Sequence, residues 1–310
     1  MKRIITLFAT ITSLVIGLHV NATFAGDNTQ VDIQGNLWKG ANIMFDGESK
    51  NKTKAPDNQT SQPTNNTDNQ QSLRTQGAYT ALGDSVAAGL GLGNTTDQCG
   101  RSNQAYPHRI ANSLSYQLIH IACSGATAGD LFTKQEDIAP QLDTAFTSGT
   151  PTLITITAGA NDVRWAEFAY KCYYRTCGTA VDTYATNTLL IALQLKLTYA
   201  FNEIQKRSNN NPPTVIITGY YNPLSNQCIR QLDEITQDEV RWLNNQRNAL
   251  NQTIRNTAAT YPFVRYIPLN FSDHGLCSNN PWVQGLNDAA PLHPNSRGQA
   301  AIARTILNGL

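Results

Sequence analysis

From Ala78 to the C-terminus, short runs of β-branched and aliphatic residues alternate with longer stretches whose apolar positions recur at helical spacing. The short runs predict strands at Tyr79–Leu82, Gln117–Ala122, Thr152–Thr157, Thr214–Thr218 and Val264–Pro268. Between them the pattern predicts helices at Tyr106–Ser115, near Ala139–Phe146, from about Asp182 to Arg207, at Asp233–Ala259 and at Ser296–Leu307. Strands separated by helices pair in parallel with helices on both faces, so residues 77–310 are predicted to form one doubly wound α/β domain built on a five-stranded parallel sheet. No internal repeat is visible.

Open α/β sheets bind ligands beyond the carboxyl ends of their strands. The segments that follow the predicted strands carry Gly83-Asp84-Ser85, Cys123-Ser124-Gly125-Ala126-Thr127, Gly159-Ala160-Asn161-Asp162, Tyr220-Tyr221-Asn222-Pro223 and a long loop ending in Leu292-His293-Pro294-Asn295. All the candidate chemistry therefore falls on one rim.

The pattern breaks down before residue 77. Lys2-Arg3 precede an apolar run from Ile4 to about Val20, and Ala22-Thr23-Phe24-Ala25 offers small residues for a cut after Ala25, so residues 1–25 read as a signal peptide. Residues 26–76 are rich in Asn, Gln, Asp, Thr and Ser and bury too little apolar surface to offset chain entropy, which predicts a disordered linker. Leu37-Trp38 through Ile43-Met44-Phe45 is a small apolar patch within it. The expectation is a secreted, extracellular protein without stable membrane insertion, acting as a monomer.

Charge narrows the partners. With 23 Lys and Arg against 22 Asp and Glu, the net charge of +1 supplies no basic field for nucleic acid. Six cysteines in an exported chain read as disulfides rather than metal ligands, since none forms a Cys-x-x-Cys pair and no His lies at zinc-ligand spacing from one. Every cysteine falls in a segment that follows a strand, which favours sequential pairing: Cys99–Cys123, Cys172–Cys177 and Cys228–Cys277.

A serine hydroxyl is a weak nucleophile, so cleaving an ester with one requires a base for its proton and donors for the oxyanion. Ser85 follows a strand where a helix begins, which makes its own N–H a candidate donor. Gly125 can present a second N–H without a side chain in the way, and Asn161 a side-chain amide. His293 is the candidate base.

These residues, in this order, resemble the SGNH hydrolases, also called GDSL esterases and lipases. Gly83-Asp84-Ser85 is similar to the first block of that family, Gly125 to the second, Gly159-Ala160-Asn161-Asp162 to the third and Leu292-His293-Pro294-Asn295 to the last, over Ala78 to Leu310. The resemblance implies a flavodoxin-like sheet, a Ser85 nucleophile, His293 as base, and an oxyanion hole of Ser85 N–H, Gly125 N–H and the Asn161 side chain. It implies no metal and no cofactor. The six-cysteine arrangement is similar to that of secreted actinobacterial lipases and phospholipases within the family.

One position departs from the pattern. The family usually carries an Asp three residues before the histidine, where this chain has Ala290. Two groups are candidates to orient the imidazole: the Ala290 carbonyl, which sets a tautomer without adding charge, and the carboxylate of Asp288, which needs a different loop path. The expected activity is carboxylic-ester hydrolysis on a small-molecule or lipid ester. Glycan O-deacetylation by the same machinery is the alternative among enzymes, and a secreted binding protein without turnover is the alternative outside them. Trp165, Phe168, Tyr170, Tyr173 and Tyr174 are candidates either to line an acyl pocket or to pack a helix. Asp273-His274 reads as exposed loop.

Overall fold

A computed structural model describes residues 77–93, 97–224, 228 and 235–310 of the chain. The expected signal peptide (1–25), the expected linker (26–76) and the Leu37–Phe45 patch lie outside the described residues. Those described fall within one compact unit, Asn69–Leu310.

Five strands form the sheet: β1 (Ala78–Gly83), β2 (Gln117–His120), β3 (Leu153–Thr157), β4 (Thr214–Thr218) and β5 (Val264–Ile267). All pairings are parallel, in the order β2-β1-β3-β4-β5. That is the flavodoxin-like order, and its strand order reverses at β1 and β3, the place where sheets of this kind bind ligands. Ile154 and Ile156 of β3 and Val215, Ile216 and Ile217 of β4 are fully buried. These central strands are covered on both faces, which explains why their runs are apolar throughout rather than alternating.

The helices are α1 (Ser85–Ala88), α2 (Tyr106–Leu114), α3 (Gln141–Ala145), α4 (Trp165–Tyr174), α5 (Ala180–Arg207), α6 (Gln237–Ala258) and α7 (Ser296–Asn308). α2 packs with α7, and α5 with α6, giving the two layers that right-handed crossovers to opposite ends of the sheet require. Thr179 and Asp182 close a capping box on α5, and Thr236 and Glu239 close another on α6. α6 therefore starts at Gln237, later than the predicted Asp233.

Several predicted boundaries shift for identifiable reasons. β2 stops at His120 because the Ile121 and Ala122 N–H groups both turn to the Ala81 carbonyl, which ends the ladder. β5 stops before Pro268, which has no N–H to donate. α4 was not expected as an element of its own. Its N-cap Arg164 sits at φ 55° and makes no side-chain cap, so no start signal precedes it.

Three disulfides join Cys99 to Cys123, Cys172 to Cys177 and Cys228 to Cys277. The latter two lie in a second small core with Ala169, Leu224, Ile235, Val240 and Leu243, against which Trp165, Phe168 and Leu292 pack. Phe168 also meets Trp242 edge-on at 5.3 Å, while Tyr170 and Tyr174 are exposed. Packing thus accounts for Trp165 and Phe168. His274 stacks on Trp282 at 3.7 Å, and its Nδ1 lies 2.8 Å from the Asn280 carbonyl.

Candidate active site

β1 runs into a backbone turn at Gly83 (φ 124°), where any Cβ would strike the Thr157 carbonyl oxygen of the neighbouring strand. Only glycine fits there. The amide of Gln141 grips both polar groups of Gly83, accepting its N–H at 2.7 Å and donating to its carbonyl at 2.9 Å. Asp84 then caps α1 by accepting the Val86 N–H at 2.9 Å. This places Ser85 at the first helical position, 9 % exposed, at the floor of the rim.

His293 reaches Ser85 from the far end of the chain, its Nε2 2.7 Å from Ser85 Oγ. Its Nδ1 lies 3.1 Å from the Pro291 carbonyl. A carbonyl only accepts, so the ring proton resides on Nδ1 and the Nε2 lone pair faces the serine hydroxyl. Burial holds the imidazole below its ordinary pKa, with the Pro291 and Ala290 carbonyls pulling the other way.

Of the two groups expected to orient the histidine, the Ala290 carbonyl lies at the ring and Asp288 pairs elsewhere. The Ala290 carbonyl accepts the His293 backbone N–H at 3.2 Å and also acts on the ring, together with the carbonyl of Pro291, which the turn at Leu292 brings to 3.1 Å from Nδ1. Asp288 is committed elsewhere, its Oδ2 accepting the Gly285 N–H at 2.6 Å within its own turn. Leu292 holds φ 66°, a left-handed conformation that costs a branched residue about 1–3 kcal/mol and persists only where the surroundings enforce it. Gln284 helps enforce it: its carbonyl accepts the Leu292 N–H at 3.1 Å and its N–H donates to the His293 carbonyl at 2.8 Å.

The two remaining loops are fastened together. Asn161 Nδ2 donates to the Ala126 carbonyl at 2.8 Å, and Asp162 Oδ2 accepts the Ala128 N–H at 2.7 Å. Asp162 is buried and paired through Oδ1 with Lys196 Nζ at 2.8 Å; burial raises its pKa, and the lysine opposes that rise. One Asn161 amide hydrogen is used in this link, leaving the other for a ligand. Gly125 adopts φ 81°, and neither its N–H nor that of Ser85 has an acceptor among the described residues. Burial raises the Asp84 carboxyl to about 7, partly offset by a hydrogen bond from Tyr220.

Gln141 and Pro291 were not singled out from sequence. A glutamine 58 positions from the glycine it grips leaves no local signal, and a backbone carbonyl leaves none at all. Among the described residues, no three His, Cys, Asp or Glu side chains gather to hold a metal ion. No described helix is long and apolar enough to cross a membrane.

Comparison with known proteins adds to this geometry. Residues 81–301 match the model of the GDSL-like lipase/acylhydrolase family. Lipase 1 of Streptomyces coelicolor is 29 % identical over 243 residues, spanning 74 % of this chain and 85 % of the relative. A lipase of Streptomyces rimosus is 28 % identical over 241 residues, with the same coverage of 74 % and 85 %. Among solved structures, the extracellular lipase of Streptomyces rimosus superposes with TM-score 0.60 at 25 % identity, covering 76 % of this chain and all of its own. Phospholipase A1 of Streptomyces albidoflavus shares the fold, with TM-score 0.63 at 23 % identity over 76 % of this chain and 100 % of that one.

Proposed function

We propose that this chain, which belongs to the GDSL-like lipase/acylhydrolase family and hydrolyses carboxylic esters, does so through a Ser85–His293 dyad in which a backbone carbonyl takes the place of the third triad member. The observation that carries this reading is the continuous line from the Pro291 carbonyl to His293 Nδ1 at 3.1 Å and from Nε2 to Ser85 Oγ at 2.7 Å. In acylation, Ser85 Oγ bonds to the ester carbonyl carbon while its proton passes to His293 Nε2. The carbonyl oxygen takes up the negative charge, facing the N–H groups of Ser85 and Gly125 and the Asn161 amide. As the C–O bond breaks, His293 returns the proton to the leaving alcohol. Water then repeats the sequence and releases the acid.

The Pro291 carbonyl fixes the tautomer and the ring plane but brings no full negative charge to the imidazolium. Burial already disfavours that cation, so the imidazole stays neutral and able to act as base to a lower pH than a free one.

The substrate class we assign is an acyl lipid ester, on the strength of the two curated relatives named as lipases. We further assign the protein to the extracellular space after removal of residues 1–25. Three disulfides suit an oxidising compartment, and one solved neighbour is an extracellular lipase.

The test is Ser85→Ala assayed on a short nitrophenyl ester, with loss of turnover expected. Turnover at the parent rate would refute the dyad. A profile against acyl chain length tests the substrate: activity on long acyl chains is expected, whereas acceptance of acetyl alone would favour a deacetylase.

A further inference from the structure

Two consecutive tyrosines just past β4 touch three loops of the site. Tyr220 OH donates to Asp84 Oδ2 at 2.5 Å and accepts the Ala160 N–H at 3.1 Å. Asp84 precedes Ser85 in the chain, and Ala160 precedes Asn161. Tyr221 OH donates to the Leu292 carbonyl at 2.9 Å, one residue before His293. Both residues are buried, and their hydroxyls hydrogen-bond to Asp84, Ala160 and Leu292, each a chain neighbour of a site residue.

We propose that Tyr220-Tyr221 is a positioning dipeptide that fixes the nucleophile, the amide donor and the base relative to one another by holding a chain neighbour of each from a single rigid segment. The proposal rests on the Ser85–His293 reading above.

The segment is rigid because other elements hold it. Asn251 of α6 clamps the Tyr220 backbone on both sides, accepting its N–H at 2.7 Å and donating to its carbonyl at 2.8 Å. The Tyr221 ring stacks on Phe271 with centroids 4.4 Å apart at 19°, and Phe271 meets Trp282 edge-on at 5.2 Å. Ser85 and His293 lie 208 positions apart, one on a four-residue helix and the other in an irregular loop, so no regular element sets their separation.

The hold on Leu292 reaches the imidazole through the backbone. Leu292 is the residue at φ 66°, and its turn brings the Pro291 carbonyl behind Nδ1. With the Leu292 carbonyl released, that turn relaxes, the Pro291 carbonyl moves off the ring, and the imidazole loses its fixed plane. Gln284 still ties the loop, through the Leu292 N–H and through its own Nε2 to the Leu90 carbonyl at 2.8 Å, so the fold survives the loss.

The experiment compares Tyr221→Phe and Tyr220→Phe with the parent and with Tyr184→Phe, a tyrosine 76 % exposed on α5. Turnover of a nitrophenyl ester is normalised to the sites that a fluorophosphonate labels at completion, so unfolded protein drops out of the rate. Tyr221→Phe is expected to lower kcat about tenfold to 10²-fold with KM little changed, the size of a misplaced catalytic group. Its acid limb is expected to move to lower pH, because the Pro291 carbonyl no longer helps hold the imidazolium. Tyr220→Phe is expected to lower kcat by a similar factor, since it acts through Ser85 and Asn161. Tyr184→Phe should match the parent.

Parent values of kcat and of the acid limb in Tyr221→Phe would overturn the proposal, as would a drop equal in all three variants. Ser85→Ala separates the two levels. If it retains turnover, the dyad fails and the proposal with it; if it is dead while Tyr221→Phe is normal, only the positioning role falls.

Discussion

Ala290 invites a repair: restoring the family's usual Asp three residues before the histidine. The structure argues that Ala290→Asp will be destabilising and will not raise activity. Ala290 is fully buried, and Gly91 approaches so closely that a Cβ added to it would lie 2.7 Å from the Ala290 Cβ. An aspartate there must fit three more heavy atoms into packed space, an overpacking cost of about 1–3 kcal/mol. Its charge adds a second penalty, because the ring Nδ1 already faces the Pro291 carbonyl.

That second penalty has a ceiling, since the carboxyl can escape it by binding a proton. From an unfolded pKa of about 3.9 to pH 7 is roughly 3 units, and at about 1.4 kcal/mol per unit the ceiling is about 4 kcal/mol. The sign follows from a raised folded-state pKa in an acid: the penalty is present at neutral pH and fades as pH falls to about 4. Ala290→Asn has nearly the same size without the charge, so the difference between the two variants isolates the electrostatic part. In thermal unfolding that difference should favour Ala290→Asn at pH 7 by at most roughly 8–16 °C, taking about 2–4 °C per kcal/mol for a domain of this size, and should close near pH 4. An Ala290→Asp protein as stable as Ala290→Asn at pH 7, with faster turnover than the parent and an acid limb moved upward, would show that the carboxylate does pair with the imidazole and would refute the reasoning.

Three further outcomes are expected. Asn161→Ala should lower kcat about 10²- to 10³-fold with KM nearly unchanged in steady-state kinetics, the effect of losing one oxyanion donor, and a change confined to KM would contradict that role. The acid limb of kcat/KM should have its midpoint below about 6.5, because burial depresses the His293 pKa; a pH profile with its limb above that value would contradict the neutral, buried base. Replacing Cys228 and Cys277 together by serine should cost about 4 kcal/mol in denaturant unfolding, from the chain entropy released by opening a span of 49 residues, and an unmoved midpoint would count against it.

Much of the frame is legible in the chain because burial on both faces writes itself into composition. The uninterrupted runs at Leu153–Thr157 and Thr214–Thr218 are two of the three interior strands of the sheet, each with a strand on both sides. The rim loops are legible for a related reason, since Gly83 and Gly159 stand where positive φ admits little else. What escapes is whatever depends on backbone atoms or on distant side chains. α4 begins without a side-chain cap, Gln141 grips a glycine far away in sequence, and the Pro291 carbonyl joins that of Ala290 behind His293. That last feature turns on a single torsion, the left-handed Leu292, in a residue type that gives no hint of it.

The carbonyl behind the histidine also changes how the protein stands toward mutation. A carboxylate in that place is erased by one codon change, whereas every amino acid carries a carbonyl, so no substitution at position 291 deletes the acceptor itself. The vulnerable positions move outward to those that shape the turn, such as Leu292 and Gln284. In a saturation scan, the dyad reading proposed above therefore expects position 291 to matter through the fixed φ of its proline and not through its side chain's chemistry.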